Sequence, residues 1–150
     1  MEIPRDPYEP DLVQVVNEPC SKLKALIIDD EVDICFLLSG LLKHKNFEAD
    51  YVTSLSEAKK FLQKDTTAPP VIFLDNHLPD GLGVDYISQI KKVYPSVKII
   101  MITAHDTSAD RQKAFENGAD YFIGKPFTRD MIFQTIEKFY GQTGQPTIVE

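Results

Sequence analysis

Five residues of this chain share a setting that suggests joint chemistry. Asp29 and Asp30 close the run Ile27-Ile28-Asp29-Asp30-Glu31, and Asp75 closes Val71-Ile72-Phe73-Leu74-Asp75. Thr103 and Ala104 end Ile99-Ile100-Met101-Ile102-Thr103-Ala104, and Lys125 follows Tyr121-Phe122-Ile123-Gly124 and precedes Pro126-Phe127. A short apolar run bounded by turn signals reads as a strand buried on both faces. In an open parallel sheet, ligands bind beyond the carboxyl ends of the strands. Four such strands would bring an acidic pair, a third Asp, a Thr and a Lys to one rim. Carboxylates suit Mg²⁺, a hard cation, and a carboxylate can also act as a nucleophile toward phosphorus. The set fits a metal-dependent phosphoryl acceptor.

The rest of the chain supplies elements that can hold these residues. Leu23–Ile28 reads as a first strand. Ile34, Leu37, Leu38, Leu41 and Leu42 then recur at helical spacing and predict one apolar stripe. Glu48–Val52 is a shorter strand. Ser54 or Ser56 can cap a helix that runs to about Gln63 and buries Ala58, Phe61 and Leu62. Thr66 to Pro70 reads as a loop before the strand Val71–Leu74. Asp80-Gly81-Leu82-Gly83 reads as a turn into a helix with Val84, Ile87 and Ile90 inward. Pro95 precedes a strand at Val97–Ile102. A helix from Ser108 to Asn117 ends at Gly118, and a short strand follows at Tyr121–Ile123. Thr128 caps a last helix that turns Ile132, Thr135, Ile136 and Phe139 to one side. Five strands alternating with five helices predict an α/β fold, a doubly wound parallel sheet with helices on both faces.

Composition narrows the function classes. The chain has 150 residues, 43% hydrophobic and 26% charged, and a net charge of −7. One domain is expected at this length. The acidic balance argues against a nucleic-acid surface. No stretch approaches the roughly 20 apolar residues that cross a bilayer, and the N-terminus lacks a signal-peptide pattern. Cys20 and Cys35 read as reduced thiols, which points to the cytoplasm. Residues 1–20 stand apart. They hold four prolines, and five acidic residues against one arginine. This acidic, Pro-rich tail is expected to be mostly flexible, although Leu12, Val13, Val15 and Val16 could dock on the domain. The domain is expected over residues 21–141, with 142–150 as a short C-terminal tail.

Taken together and in order, these motifs resemble the receiver domain of two-component response regulators. Leu78-Pro79-Asp80-Gly81 is similar to that family's loop after the acceptor. The resemblance implies the flavodoxin-like strand order 2-1-3-4-5. It implies that Asp75 accepts a phosphoryl group from a histidine kinase or a histidine phosphotransfer protein. Asp29, Asp30, Asp75 and the backbone carbonyl of His77 would hold Mg²⁺. Lys125 would pair with Asp75 and then with a phosphoryl oxygen, and Thr103 would donate its hydroxyl to another. Phe122 would be the switch aromatic, and small Ala104 would leave room for the donor. The Lys125-Pro126 bond would be cis. His77 and His105 occupy variable positions that flank the site in the family, and exposed loop positions are the plainer reading. Output would pass through protein contacts, commonly on the fourth helix, fifth strand and fifth helix, and no output domain fits within this chain.

Two other functions use similar parts. An aspartyl-phosphate phosphatase of the haloacid-dehalogenase type also uses a strand-end Asp and Mg²⁺. It needs a second Asp two residues on, where this chain has His77, and a larger chain or cap. A structural pseudo-receiver would keep the fold and lose the switch, which the full set of five site residues opposes. Gly81-Leu82-Gly83 lacks the context of a dinucleotide fingerprint.

Overall fold

The computed structural model describes residues 22–64 and 68–141. Five strands form one parallel sheet: β1 (Leu23–Ile28), β2 (Phe47–Val52), β3 (Val71–Leu74), β4 (Lys98–Thr103) and β5 (Tyr121–Gly124). Their order across the sheet is β2-β1-β3-β4-β5, the order expected from the sequence. The helices are α1 (Val32–Lys43), α2 (Leu55–Lys64), α3 (Ile87–Val93), α4 (Ser108–Glu116) and α5 (Arg129–Tyr140).

The sheet explains why β3 is uniformly apolar. All four of its residues are buried, because helices cover both faces. Alternate strand residues feed two cores. Ala25, Ile27, Phe73 and Ile100 pack with Leu38 and Leu42 of α1 and with Ile132 and Ile136 of α5. Leu26, Ile28, Ile72 and Leu74 pack with Ala58 and Leu62 of α2, Ile87 and Ile90 of α3, and Ala114 of α4. The strands all run parallel and so end at one rim.

Several details refine or differ from the sequence reading. The α1 stripe is rotated: Cys35, Leu38 and Leu42 face the sheet, while Leu37 is 51% exposed. Leu-rich spacing left the inward face ambiguous, and the small Cys35 took the central place. The segment after Asp75 is not one turn entering a helix. His77–Leu78 pairs antiparallel with Gly81–Leu82, and a 3₁₀ turn at Gly83–Tyr86 precedes α3. Strands β4 and β5 run one residue farther than expected, so Thr103 and Gly124 lie inside the sheet. Of the two proposed caps for α2, Ser54 acts, accepting the Glu57 N–H at 3.1 Å. Asp80 reinforces this end from a distant loop, accepting the N–H groups of Leu55 and Ser56. Thr128 caps α5 as expected, and Gly118 takes a positive φ of 111° after α4. The readings of residues 1–20, of the loop at 65–67 and of 142–150 lie outside the described residues.

Candidate phosphoacceptor site

The ends of β1, β3, β4 and β5 bring the predicted residues together. Asp29 leaves β1 with its side chain turned in, 2% exposed, and accepts the Glu31 N–H at 2.9 Å. That bond sets the turn into α1 and places Asp30 in solvent. Asp75 follows β3, held by its N–H bond to the Ile28 carbonyl at 2.8 Å. Its Oδ1 accepts the Asn76 N–H at 2.8 Å. Carboxylate oxygens of Asp29, Asp30 and Asp75 lie within 4.8 Å of one another. Three carboxylates this close repel one another unless cations intervene. One cation is built in, and the all-oxygen donor set is of the kind a hard divalent ion takes.

The built-in cation is Lys125. It follows β5, and its N–H bond to the Thr103 carbonyl at 2.8 Å ties it to the end of β4. The Lys125-Pro126 peptide is cis, as the resemblance implied. The Nζ atom lies 2.9 Å from Asp29 Oδ2, 2.6 Å from Glu31 Oε1 and 3.6 Å from Asp75 Oδ2. Lys125 therefore reaches toward Asp75 but bonds more closely to Asp29 and Glu31. Glu31 was not singled out in the sequence, although it adjoins the acidic pair. It is the N-cap residue of α1, and its side chain accepts from the lysine instead of making a cap bond. These anions hold Lys125 firmly protonated, well above the usual lysine range.

Burial penalises the carboxylates. It pushes Asp29 upward in spite of the Lys125 contact. Asp75 rises to about 6 through burial and then through the charge of Asp29. Lys125, the Asn76 N–H and the Thr103 hydroxyl oppose that rise. Thr103 is 1% exposed, and its hydroxyl also accepts the His105 N–H at 3.3 Å.

The remaining predicted residues surround this pocket. Ala104 and Pro126 are exposed beside it. Phe122 is buried, with the Arg111 guanidinium 4.9 Å from its ring centre. A cavity of about 170 Å³ lies between Thr103, Phe122, Asn76 and the two histidines. His77 and His105 are exposed, as in the plainer reading, but their rings stack with centres 3.8 Å apart. This contact joins the acceptor loop to the loop after β4.

Two further residues shape the acceptor loop. The Asn76 side chain accepts the Val84 N–H at 2.9 Å, and its carbonyl accepts the Gly83 N–H at 2.7 Å. A Cβ on Gly83 would fall 2.1 Å from the Asp75 carbonyl oxygen, so only glycine permits this approach. The signal was the Gly81-Leu82-Gly83 triplet, whose meaning depends on a contact distant in sequence.

The model for the response regulator receiver domain matches residues 25–137. The chain belongs to the response regulator receiver family. Among receiver relatives, the chemotaxis protein CheY of Listeria monocytogenes is 32% identical over 118 residues, which cover 77% of this chain and 97% of that protein. The sensory transduction protein LytR of Staphylococcus saprophyticus is 40% identical over 127 residues, covering 83% of this chain and 48% of LytR. The solution structure of the beryllofluoride-activated NtrC4 receiver domain dimer has a TM-score of 0.71 and 36% identity, covering 77% of this chain and 93% of that one. Receiver domains are signalling domains, generally not classed as enzymes, and bind Mg²⁺ at an acidic pocket; Asp29, Asp30 and Asp75 form an acidic cluster here. No helix among the described residues is long and apolar enough to cross a membrane.

Proposed function

We propose that this receiver accepts a phosphoryl group on Asp75 from a histidine kinase or a histidine phosphotransfer protein, in the cytoplasm, and signals through protein contacts. The observation that carries this reading is the division of labour between the two Asp75 oxygens. Oδ1 is occupied by the Asn76 N–H, whereas Oδ2 faces Lys125 at 3.6 Å. Oδ2 is the attacking oxygen: its bond to phosphorus forms as the bond from phosphorus to the donor nitrogen breaks. Lys125 shifts from Asp29 and Glu31 toward a phosphoryl oxygen, and the Thr103 hydroxyl donates to another. Mg²⁺, held by Asp29, Asp30, Asp75 and the His77 carbonyl, supplies charge neutralisation at this site when bound. Movement of Thr103 toward the phosphoryl group alters the cavity beside Phe122. That change reaches the surface of α4, β5 and α5, where a protein partner reads it.

The phosphatase reading loses support because His77, two residues after Asp75, stacks on His105 and is not a carboxylic acid. The test is the intact mass of the chain after incubation with Mg²⁺ and acetyl phosphate. Wild type gains one phosphoryl group and Asp75→Asn gains none. Equal uptake by the two proteins overturns the assignment.

A further inference from the structure

Glu31 has no part in the acceptor or metal set, yet it makes the shortest contact to Lys125. The Nζ atom lies 2.6 Å from Glu31 Oε1, against 2.9 Å to Asp29 Oδ2 and 3.6 Å to Asp75 Oδ2. The two partners are unequally buried: the Lys125 side chain is 11% exposed and that of Glu31 59% exposed. The backbone of residue 31 is held without its side chain. Its N–H donates to Asp29 Oδ1 at 2.9 Å, and its carbonyl accepts the Cys35 N–H at 3.1 Å. The side chain makes no cap bond on α1, and among the described residues it pairs with Lys125 alone.

What this contact does follows from the donors of the ammonium. Nζ carries three N–H groups. Glu31 and Asp29 engage it in charge-assisted bonds, while Asp75 stays outside hydrogen-bond distance. Asp29 is buried and tied to the start of α1, so it cannot follow the lysine. Glu31 is long, exposed and bonded to nothing else, so it is the partner that can let go.

We propose that Glu31 is a positioning residue that clamps Lys125 short of Asp75 in the resting chain. Phosphoryl transfer then proceeds from the fraction of molecules in which the clamp is open. This rests on the acceptor role of Asp75 proposed above. Once phosphorylation occurs, the phosphoryl oxygens outcompete a single exposed carboxylate, and Lys125 changes partner. An ion pair with an exposed member shifts an equilibrium by up to about fivefold, so the clamp tunes the rate of uptake and does not abolish it.

The test compares wild type with Glu31→Gln and Glu31→Asp. Initial uptake from acetyl phosphate at saturating Mg²⁺ should rise about two- to fivefold in Glu31→Gln, because a neutral amide holds the ammonium less tightly. Glu31→Asp keeps the charge but falls one methylene short of Nζ, and its uptake should rise in the same way. A rise in Glu31→Gln alone would assign the effect to repulsion of the phosphodonor and overturn the clamp. Unchanged or slower uptake in Glu31→Gln also overturns it. A second readout needs neither metal nor donor. In the metal-free chain the NMR resonance of the Asp75 carboxyl carbon should move in both variants as Lys125 closes on it, and an unmoved resonance contradicts the proposal. If none of the three proteins takes up a phosphoryl group, the acceptor reading fails, and this resonance alone still decides the clamp.

Discussion

Two aspartates at opposite ends of the sheet show how one scaffold divides stability from chemistry. Asp120 precedes β5 at the rim where the strands begin. Its Oδ2 accepts from Lys91 at 2.7 Å and from the Ile99 N–H at 2.9 Å, and among the described residues no second carboxylate pairs with that lysine. Asp75 sits at the rim where the strands end. It shares Lys125 with Asp29 and Glu31, receives the longest of the three contacts, and is pushed up to about 6. One carboxylate is matched to a cation and a backbone donor, and it fastens α3 to the sheet. The other is held short of charge balance, which leaves it available to a divalent ion and to phosphorus. Strain of this electrostatic kind is tolerable because the surrounding strands are fully packed.

The comparison can be broken by mutation. The largest effect on the reactive rim short of removing the acceptor is expected from Lys125→Met. It leaves three close carboxylates without their cation, and phosphoryl uptake from acetyl phosphate in a stopped time course should fall by about a hundredfold or more. Uptake near the wild-type rate would mean that Lys125 only offsets the charges of Asp29 and Glu31.

At the structural rim, Asp120→Ala should lower stability by about 1–3 kcal/mol, because it strips a half-buried backbone N–H and a lysine of their acceptor. Urea denaturation measures this. Phosphoryl uptake by the folded variant should match wild type, and a lost uptake would show that the two rims are not separable.

The third prediction uses pH in metal-free buffer. The native chain keeps a proton on Asp75 up to about pH 6, whereas the unfolded chain releases it near the ordinary value of 3.8. Stability linked to this group is present below the unfolded value and is lost as pH rises through about 6; buried Asp29, also raised, acts in the same direction. Asp75→Asn should therefore be more stable than wild type by about 2 kcal/mol at pH 7.5 and close to it at pH 3.5. A difference that does not change with pH would contradict the electrostatic contrast between the rims. Added Mg²⁺ should narrow the gap at pH 7.5 by binding the wild-type carboxylates.

The smallest effect is expected from the stacked histidines. His77→Asn with His105→Ala removes a contact between two exposed loops, so the phosphoryl half-life should change by a few-fold while total uptake stays the same. An unchanged half-life would assign the stack no part in the site.

Much of this contrast was legible in the sequence, and the reasons can be stated residue by residue. Asp29, Asp75, Thr103 and Lys125 were recognisable because each terminates an apolar run, and parallel strands end at a common rim. The strand order followed from the family resemblance. What escaped were features fixed by contacts far apart in the chain. Glu31 joins the site only because β5 delivers Lys125 to it across 94 positions. Asp80 caps α2 from 24 and 25 positions away, and Gly83 is required by a backbone approach to Asp75. The face of α1 was misread at Leu37 because five Leu and Ile residues spread over more than one helical side. Periodicity locates a helix better than it orients one.

The central claim is that Asp75, and neither carboxylate beside it, forms the phosphoryl bond. Reduction with borohydride after phosphorylation converts an aspartyl phosphate to homoserine, and peptide mass mapping locates the change. The account predicts homoserine at position 75 alone, dependent on both Mg²⁺ and the phosphodonor. Homoserine at position 29 or 30, or a phosphorylated chain that yields none, would contradict it.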